Sequence, residues 1–206
     1  MLYEELRIIS NFAPTMVYID DRLYEFDLPS TLQQISSQRR EQALRFRYEQ
    51  GQRECVLSYL LLKRALLQEY GIDENPLFEY GVHGKPLLVG HSDIHFSLSH
   101  CQQAVACAVS DKPVGIDIET VRSYHESLVH YTMNDEEVAH ITSSPRPDVA
   151  FIRLWTQKEA RLKMTGEGIS NHLKDVLAEG PWNITTVEAL DRGYIYSLCE
   201  SATSLY

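Results

Sequence analysis

Two short stretches carry side chains whose types and spacing suit phosphate chemistry. In Val114-Gly115-Ile116-Asp117-Ile118-Glu119, apolar residues alternate with small or acidic ones, the period of a half-buried β-strand. On a strand, Val114, Ile116 and Ile118 share one face, and Gly115, Asp117 and Glu119 share the other. The two carboxylates then stand roughly 7 Å apart, with a glycine beside them that leaves room for a ligand. Paired oxygens on a rigid strand suit a hard cation such as Mg²⁺, which also keeps waters and phosphate oxygens. An edge strand with a solvated acidic face has the same pattern, so this stretch alone leaves both readings open.

The second stretch is Trp155-Thr156-Gln157-Lys158-Glu159-Ala160-Arg161-Leu162-Lys163. Good helix formers dominate it, and no Gly or Pro interrupts it before Gly166. On a helix, Trp155, Glu159 and Lys163 fall on one stripe, with Lys158 about 100° round from it. A Glu four residues before a Lys is an ordinary surface pair. A tryptophan on the same stripe argues for a face turned inward, where charges need partners. A third carboxylate and two ammonium groups near Asp117 and Glu119 make a metal-plus-phosphate site.

Stepping out to the elements that must position these groups, Thr15 to Asp20, Ile94 to Ser99 and Ala104 to Ser110 read as strands. Within them His95, Ser97 and Ser99 share a face. Ser37 to Glu49 reads as a polar helix, with a basic run at Arg39, Arg40, Arg45 and Arg47. Arg53 to Tyr70 reads as a Leu-rich core helix stopped by Gly71. Leu77 to Leu88 is hairpin-like. Asn134 and Glu137 form a helix-start signature, N-cap and N3. Asp148 to Met164 is the helix of the second stretch. Three further strands are expected at Val176 to Ala178, Trp182 to Val187 and Tyr194 to Cys199. Several positions recur at a fixed offset, among them Tyr18-Ile19-Asp20 with Gly115-Ile116-Asp117, Gly71 with Gly168 and Ile72 with Ile169. Both halves read strand, short helix, long helix, Gly, strands.

Composition narrows the class. A net charge of −10 over 206 residues argues against a general nucleic-acid binder. No run of 18 apolar residues and no signal-peptide core occurs, so a membrane span is not expected. Cys55, Cys101, Cys107 and Cys199 include no C-x-x-C and read as reduced thiols of a cytoplasmic protein. A zinc site at His91 and His95 is disfavoured, because strand alternation gives the two different settings. Ser99 lacks an acid–His pair independent of His100, so a serine nucleophile is a poor reading.

The residues resemble the 4′-phosphopantetheinyl transferases of the type that activates surfactin synthetase. Gly84-Lys85-Pro86, Phe96-Ser97-Leu98-Ser99-His100, the G-x-D-x-E strand and the W-x-x-K-E-A-x-x-K helix occur in order. The resemblance implies an α/β (α+β) fold of two similar halves related by a pseudo-two-fold. Each half is a small, mostly antiparallel sheet on a long helix, residues 1–112 and 113–206, with the site in the cleft between them. It implies a monomer that moves 4′-phosphopantetheine from coenzyme A to a serine of an apo acyl or peptidyl carrier protein and releases 3′,5′-ADP. Asp117, Glu119 and Glu159 would hold Mg²⁺, and Lys158 would bind phosphate. Lys163 would neutralise or protonate the departing 3′,5′-ADP. Glu137 is the candidate to accept the serine proton, with the adjacent Glu136 or a water as alternatives. Arg53, Lys85, Ser99 and His100 would hold the 3′-phosphoadenosine end, Arg53 by its 3′-phosphate. Carrier proteins of this kind are acidic. With the chain itself acidic, an apolar docking face around Leu128 and Met133 is expected. The rival readings are another Mg²⁺-dependent phosphoryl enzyme and a non-catalytic carrier-binding subunit.

Overall fold

A computed structural model describes residues 5–7, 15–168, 173–178 and 180–202. Ile169, which recurs with Ile72 in the sequence, lies outside the described residues. Among those described, the protein is a mixed α/β structure with three antiparallel sheets. The first contains β1 (Glu5–Arg7), β2 (Met16–Asp20), β5 (His95–His100) and β6 (Val105–Ser110), in the order β1-β2-β6-β5. The second is a hairpin of β3 (Phe78–Tyr80) and β4 (Pro86–Leu88). The third contains β7 (Val114–Thr120), β8 (Trp182–Ala189) and β9 (Tyr194–Ser201), in the order β7-β9-β8.

The helices are α1 (Leu28–Leu32), α2 (Ser37–Leu44), α3 (Glu49–Tyr70), α4 (Glu126–Thr132), α5 (Asp135–Ser143) and α6 (Pro147–Thr165). Both long helices end on a glycine in the left-handed region, Gly71 at φ 70° and Gly166 at φ 74°, where a side chain would be strained.

Alternation along β6 sets the layers. Val105, Cys107 and Val109 pack toward α3 with Val56, Tyr59, Leu62 and Leu66. Ala104, Ala106 and Ala108 turn the other way, onto Val114, Ile116 and Ile118 of β7 and Tyr196 and Leu198 of β9. The opposite face of β7 is covered by α6. The chain is therefore layered α3, first sheet, third sheet, α6.

Several elements differ from their sequence reading. β7 is not half-buried: apart from Glu119, every residue in it is buried. The room beside Gly115 belongs to α6 and not to a ligand, since a Cβ there would lie 2.0 Å from the Ala160 carbonyl. α3 starts at Glu49, so Arg53 sits inside the helix, away from the free N–H groups of its first turn. Val176 to Ala178 is a turn after the 3₁₀ segment Leu173–Asp175, because Leu173 and Val176 pack on Leu162 instead of pairing with a strand. Met133 is wholly buried with Val129, Ile141 and Phe151, so it cannot belong to a docking face, whereas Leu128 is 39% exposed.

Candidate active site

The acidic strand and the helix stripe meet. Because Gly115 has no side chain, α6 rides against β7, and Trp155, Glu159 and Lys163 come down beside Asp117 and Glu119. These five line a cavity of about 330 Å³ with Leu98, Ser99 and His100. At its centre is a triangle. Ser99 Oγ donates to Asp117 Oδ1 at 2.8 Å, Lys163 Nζ donates to the same carboxylate oxygen at 2.7 Å, and Lys163 Nζ also donates to Ser99 Oγ at 2.8 Å. Ser99 Oγ further accepts from the Ile118 N–H at 3.3 Å, and Ser97 Oγ accepts from the Ile116 N–H at 3.0 Å. Two serine hydroxyls of β5 thus satisfy the outer edge of β7 where no strand pairs with it. Nothing in the sequence marked Ser97 for this, since the contact joins separate sheets.

Trp155 Nε1 donates to Glu119 Oε1 at 3.3 Å. Its ring stacks on Phe151, centroids 6.4 Å apart, and Phe151 in turn packs on Tyr124 at 5.0 Å. This aromatic row fixes the aim of Glu119 and walls a second cavity of about 360 Å³ that also touches Leu128. A third cavity, about 240 Å³, is walled by Lys85, Pro86, Phe96 and Leu98 and reaches Glu159 and Lys163.

The carboxylates crowd each other. Burial, then the Asp117 charge, pushes the Glu159 carboxyl from 4.5 up to about 7. Burial and Asp117 also raise Glu119, against the Trp155 hydrogen bond. Among the described residues, no three His, Cys, Asp or Glu side chains are drawn together closely enough to hold a metal ion by themselves. The donor chemistry nonetheless fits a hard cation. Asp117 Oδ2 and Glu159 Oε1 are buried with no hydrogen-bond partner among the described residues. Such orphaned anionic oxygens are costly unless a positive charge meets them. Mg²⁺ takes few protein ligands and completes its shell from water and phosphate.

The other expected site residues are placed as follows. Lys85 lies at the apolar cavity, donating to the Met164 carbonyl at 2.8 Å and the Val114 carbonyl at 3.3 Å. Burial lowers its ammonium to about 8. His100 is half-exposed, with Nδ1 3.3 Å from Glu54. Burial lowers its imidazole, Glu54 opposes this, and Lys163 and Arg39 add to it. Glu54 is thus a neighbour of the site that the sequence reading did not assign to it, and Arg39 of the basic run is another neighbour. Arg39 is buried, donating to the Cys55 carbonyl at 2.7 and 3.0 Å, and Arg40 donates to that of Leu32 at 2.6 Å. The basic run is therefore partly scaffold. Arg53 is engaged as well. It donates to the Phe26 carbonyl at 2.9 Å, pairs with Glu49 at 2.7 Å and lies over the Tyr24 and Phe26 rings.

Two expected residues do not join the cluster. Lys158 is wholly buried on another side of α6. Its Nζ donates to the Leu173 carbonyl at 2.7 Å and the Lys174 carbonyl at 3.4 Å, and pairs with Glu137 Oε2 at 2.7 Å. Glu137 closes the capping box of α5, accepting from the Asn134 N–H at 2.9 Å while the Asn134 side chain accepts from its own N–H. Neither lines the cavity of Asp117, Glu119 and Glu159. Removing one partner of such a buried pair costs about 3–5 kcal/mol.

The family follows from comparison with known proteins. Residues 113–200 match the model of the 4′-phosphopantetheinyl transferase superfamily. The chain is 32% identical over 170 residues to 4′-phosphopantetheinyl transferase psf-1 of Bacillus pumilus, covering 81% of this chain and 73% of that one. It is 31% identical over 175 residues to the 4′-phosphopantetheinyl transferase HetI of a Nostoc species, covering 76% and 74%. Against Sfp of Bacillus subtilis the identity is 26% over 157 residues, covering 75% and 70%. The chain belongs to the 4′-phosphopantetheinyl transferase superfamily. Its activity is the transfer of 4′-phosphopantetheine to carrier proteins, for which the family implies coenzyme A as donor. Among the described residues no helix is long and apolar enough to cross a membrane.

Proposed function

We propose that the enzyme joins the 4′-phosphopantetheine of coenzyme A to a serine hydroxyl of an apo acyl or peptidyl carrier protein, at the cavity between β7 and α6. Asp117, Glu119 and Glu159 would hold Mg²⁺, which when bound polarises the pyrophosphate and offsets its charge. The observation that carries this reading is the pair of orphaned oxygens, Asp117 Oδ2 and Glu159 Oε1, beside the Ser99–Asp117–Lys163 triangle.

The adenosine end lies in the apolar cavity of Lys85, Pro86 and Phe96. His100, near Arg39, faces the 3′-phosphate. Arg53 serves the same end indirectly, by holding the loop that carries Tyr24. Transfer forms a bond from the serine oxygen to the β-phosphorus and breaks the bond from that phosphorus to the oxygen of 3′,5′-ADP. Glu159, which lines the cavity, accepts the serine proton, directly or through a water. Lys163, one-third exposed, offsets the charge that develops on the leaving phosphate. The carrier approaches over the aromatic cavity at Glu119, Tyr124 and Leu128.

The test is to incubate enzyme, coenzyme A, Mg²⁺ and apo-carrier, then weigh the carrier. Asp117→Ala and Glu159→Ala are each expected to abolish the mass gain while keeping the circular dichroism of the parent. Near-parental rates in either variant would refute the metal assignment.

A further inference from the structure

Lys158 offers its stretch of sequence a second chemistry. A wholly buried ammonium with a carboxylate and two carbonyls around it is fully used by the protein. What it joins is informative. Leu173 and Lys174 belong to the segment that returns from Gly166, and Gly166 and Gly168 form part of the wall of the apolar cavity. Glu137 opens α5 beside α4, and Asn134 Nδ2 also donates to the Lys174 carbonyl, at 3.3 Å. One buried charge therefore ties together α6, the Leu173–Lys174 segment and the α4–α5 corner.

We propose that Lys158 and Glu137 are positioning residues for phosphopantetheinyl transfer: as a pair they fix the rotation of α6 about its axis, and so the aim of Glu159 and Lys163 into the cavity, without touching substrate. Lys158 leaves the helix about 100° from Glu159. A side chain held at its tip by three partners lets α6 roll only if all three contacts break. The pair also holds Glu137 away from the Asp117 cavity, with Oε2 taking both the Asn134 N–H and the Lys158 ammonium.

The proposal rests on α6 presenting Glu159 and Lys163 to the reaction. Should that reading fail, Asp117→Ala stays active, which is a separate outcome from those below. The test compares Lys158→Met with Lys158→Met/Glu137→Gln, measuring melting temperature, kcat, and KM for coenzyme A. Lys158→Met strands a buried carboxylate. The double variant removes both charges and keeps an amide oxygen for the Asn134 N–H. A matched neutral pair can replace a buried ionic one.

At 10 °C, the folded single variant is expected to lose tenfold or more in kcat with KM for coenzyme A within threefold of the parent. The double variant, which also lacks the tether, is expected to regain melting temperature while its kcat stays tenfold or more below the parent. A rise of tenfold or more in coenzyme KM that persists in the double variant would overturn the proposal, because Lys158 would then touch phosphate. An unchanged kcat in a folded single variant would overturn it too, leaving a merely structural lysine. If the single variant does not fold, the double variant decides. Folded with kcat tenfold or more below the parent, it supports the pair; unfolded, or folded with the parent's kcat, it refutes the pair.

Discussion

Lys158 and Lys163 stand five residues apart on one helix, carry the same charge and end in different environments. The Lys158 side chain is 1% exposed and spends its ammonium on two carbonyls and Glu137. The Lys163 side chain is 31% exposed and lies against Asp117 and Ser99 at the cavity. Five residues at 100° each turn the helix by more than a full revolution, so the two point to different sides. The difference teaches that α6 has a working side and an anchoring side. A lysine in a recognisable pattern declares its charge, but only packing declares its task.

The sharpest test of this division is on the working side. Lys163→Met should keep the helix packed, since Met matches the lysine stem, yet remove the ammonium beside Asp117. We expect kcat to fall by roughly a hundredfold or more, the scale of losing one preorganised charge-stabilising group. Single-turnover rates with apo-carrier measure this. A loss confined to KM for coenzyme A would make Lys163 a binding contact only and blur the contrast with Lys158.

A middle-sized effect concerns Glu159. Because burial and Asp117 raise its carboxyl to about 7, the folded protein keeps a proton that the unfolded chain releases at about 4.5. Stability from this group is complete below that range and is lost as pH climbs through 7. Glu159→Gln cannot ionise. Without metal, its melting temperature should exceed that of the parent by a few degrees at pH 8 and match it at pH 5. Differential scanning calorimetry at the two values decides. An equal difference at both would mean that Glu159 is not the strained group on the working side.

The smallest effect belongs to the α4–α5 corner, where the anchoring side ends. Leu128→Asp should raise KM for the carrier several-fold and leave KM for coenzyme A unchanged, with only a modest dependence on salt. A steep fall in kcat/KM with rising salt, and no effect of the substitution, would move docking to the exposed arginines Arg45 and Arg47.

Much of this was legible locally. Gly71 and Gly166 announced the ends of the long helices, and Asn134 with Glu137 announced a capping box. The alternation of Val114 to Glu119 placed two carboxylates on one face. The contacts that decide roles were not legible, because they join residues far apart in the chain. Ser97 and Ser99 looked like the polar face of a strand until β7 was seen to lie beside them. Arg53 was read as a phosphate ligand, and nothing in the sequence announced that it also reaches the Phe26 carbonyl. Val176 to Ala178 looked like a strand because burial on Leu162 and burial in a sheet ask for the same residues. Met133 looked like a surface anchor because an apolar residue near a loop can turn either way.

The pairing of β7 has a consequence for the order in which the enzyme is made. Among the described residues, the strand that hydrogen-bonds along it in the third sheet is β9, which begins at Tyr194. The Asp117 strand therefore emerges from the ribosome long before its ladder exists. Closing that long loop costs entropy before any pairing rewards it. Until then β7 has only the first sheet and α6 to lean on, and an unpaired apolar strand invites association with other chains. The Asp117 face of this enzyme should thus be among the last parts of the nascent chain to become native, and the part most dependent on chaperones during synthesis.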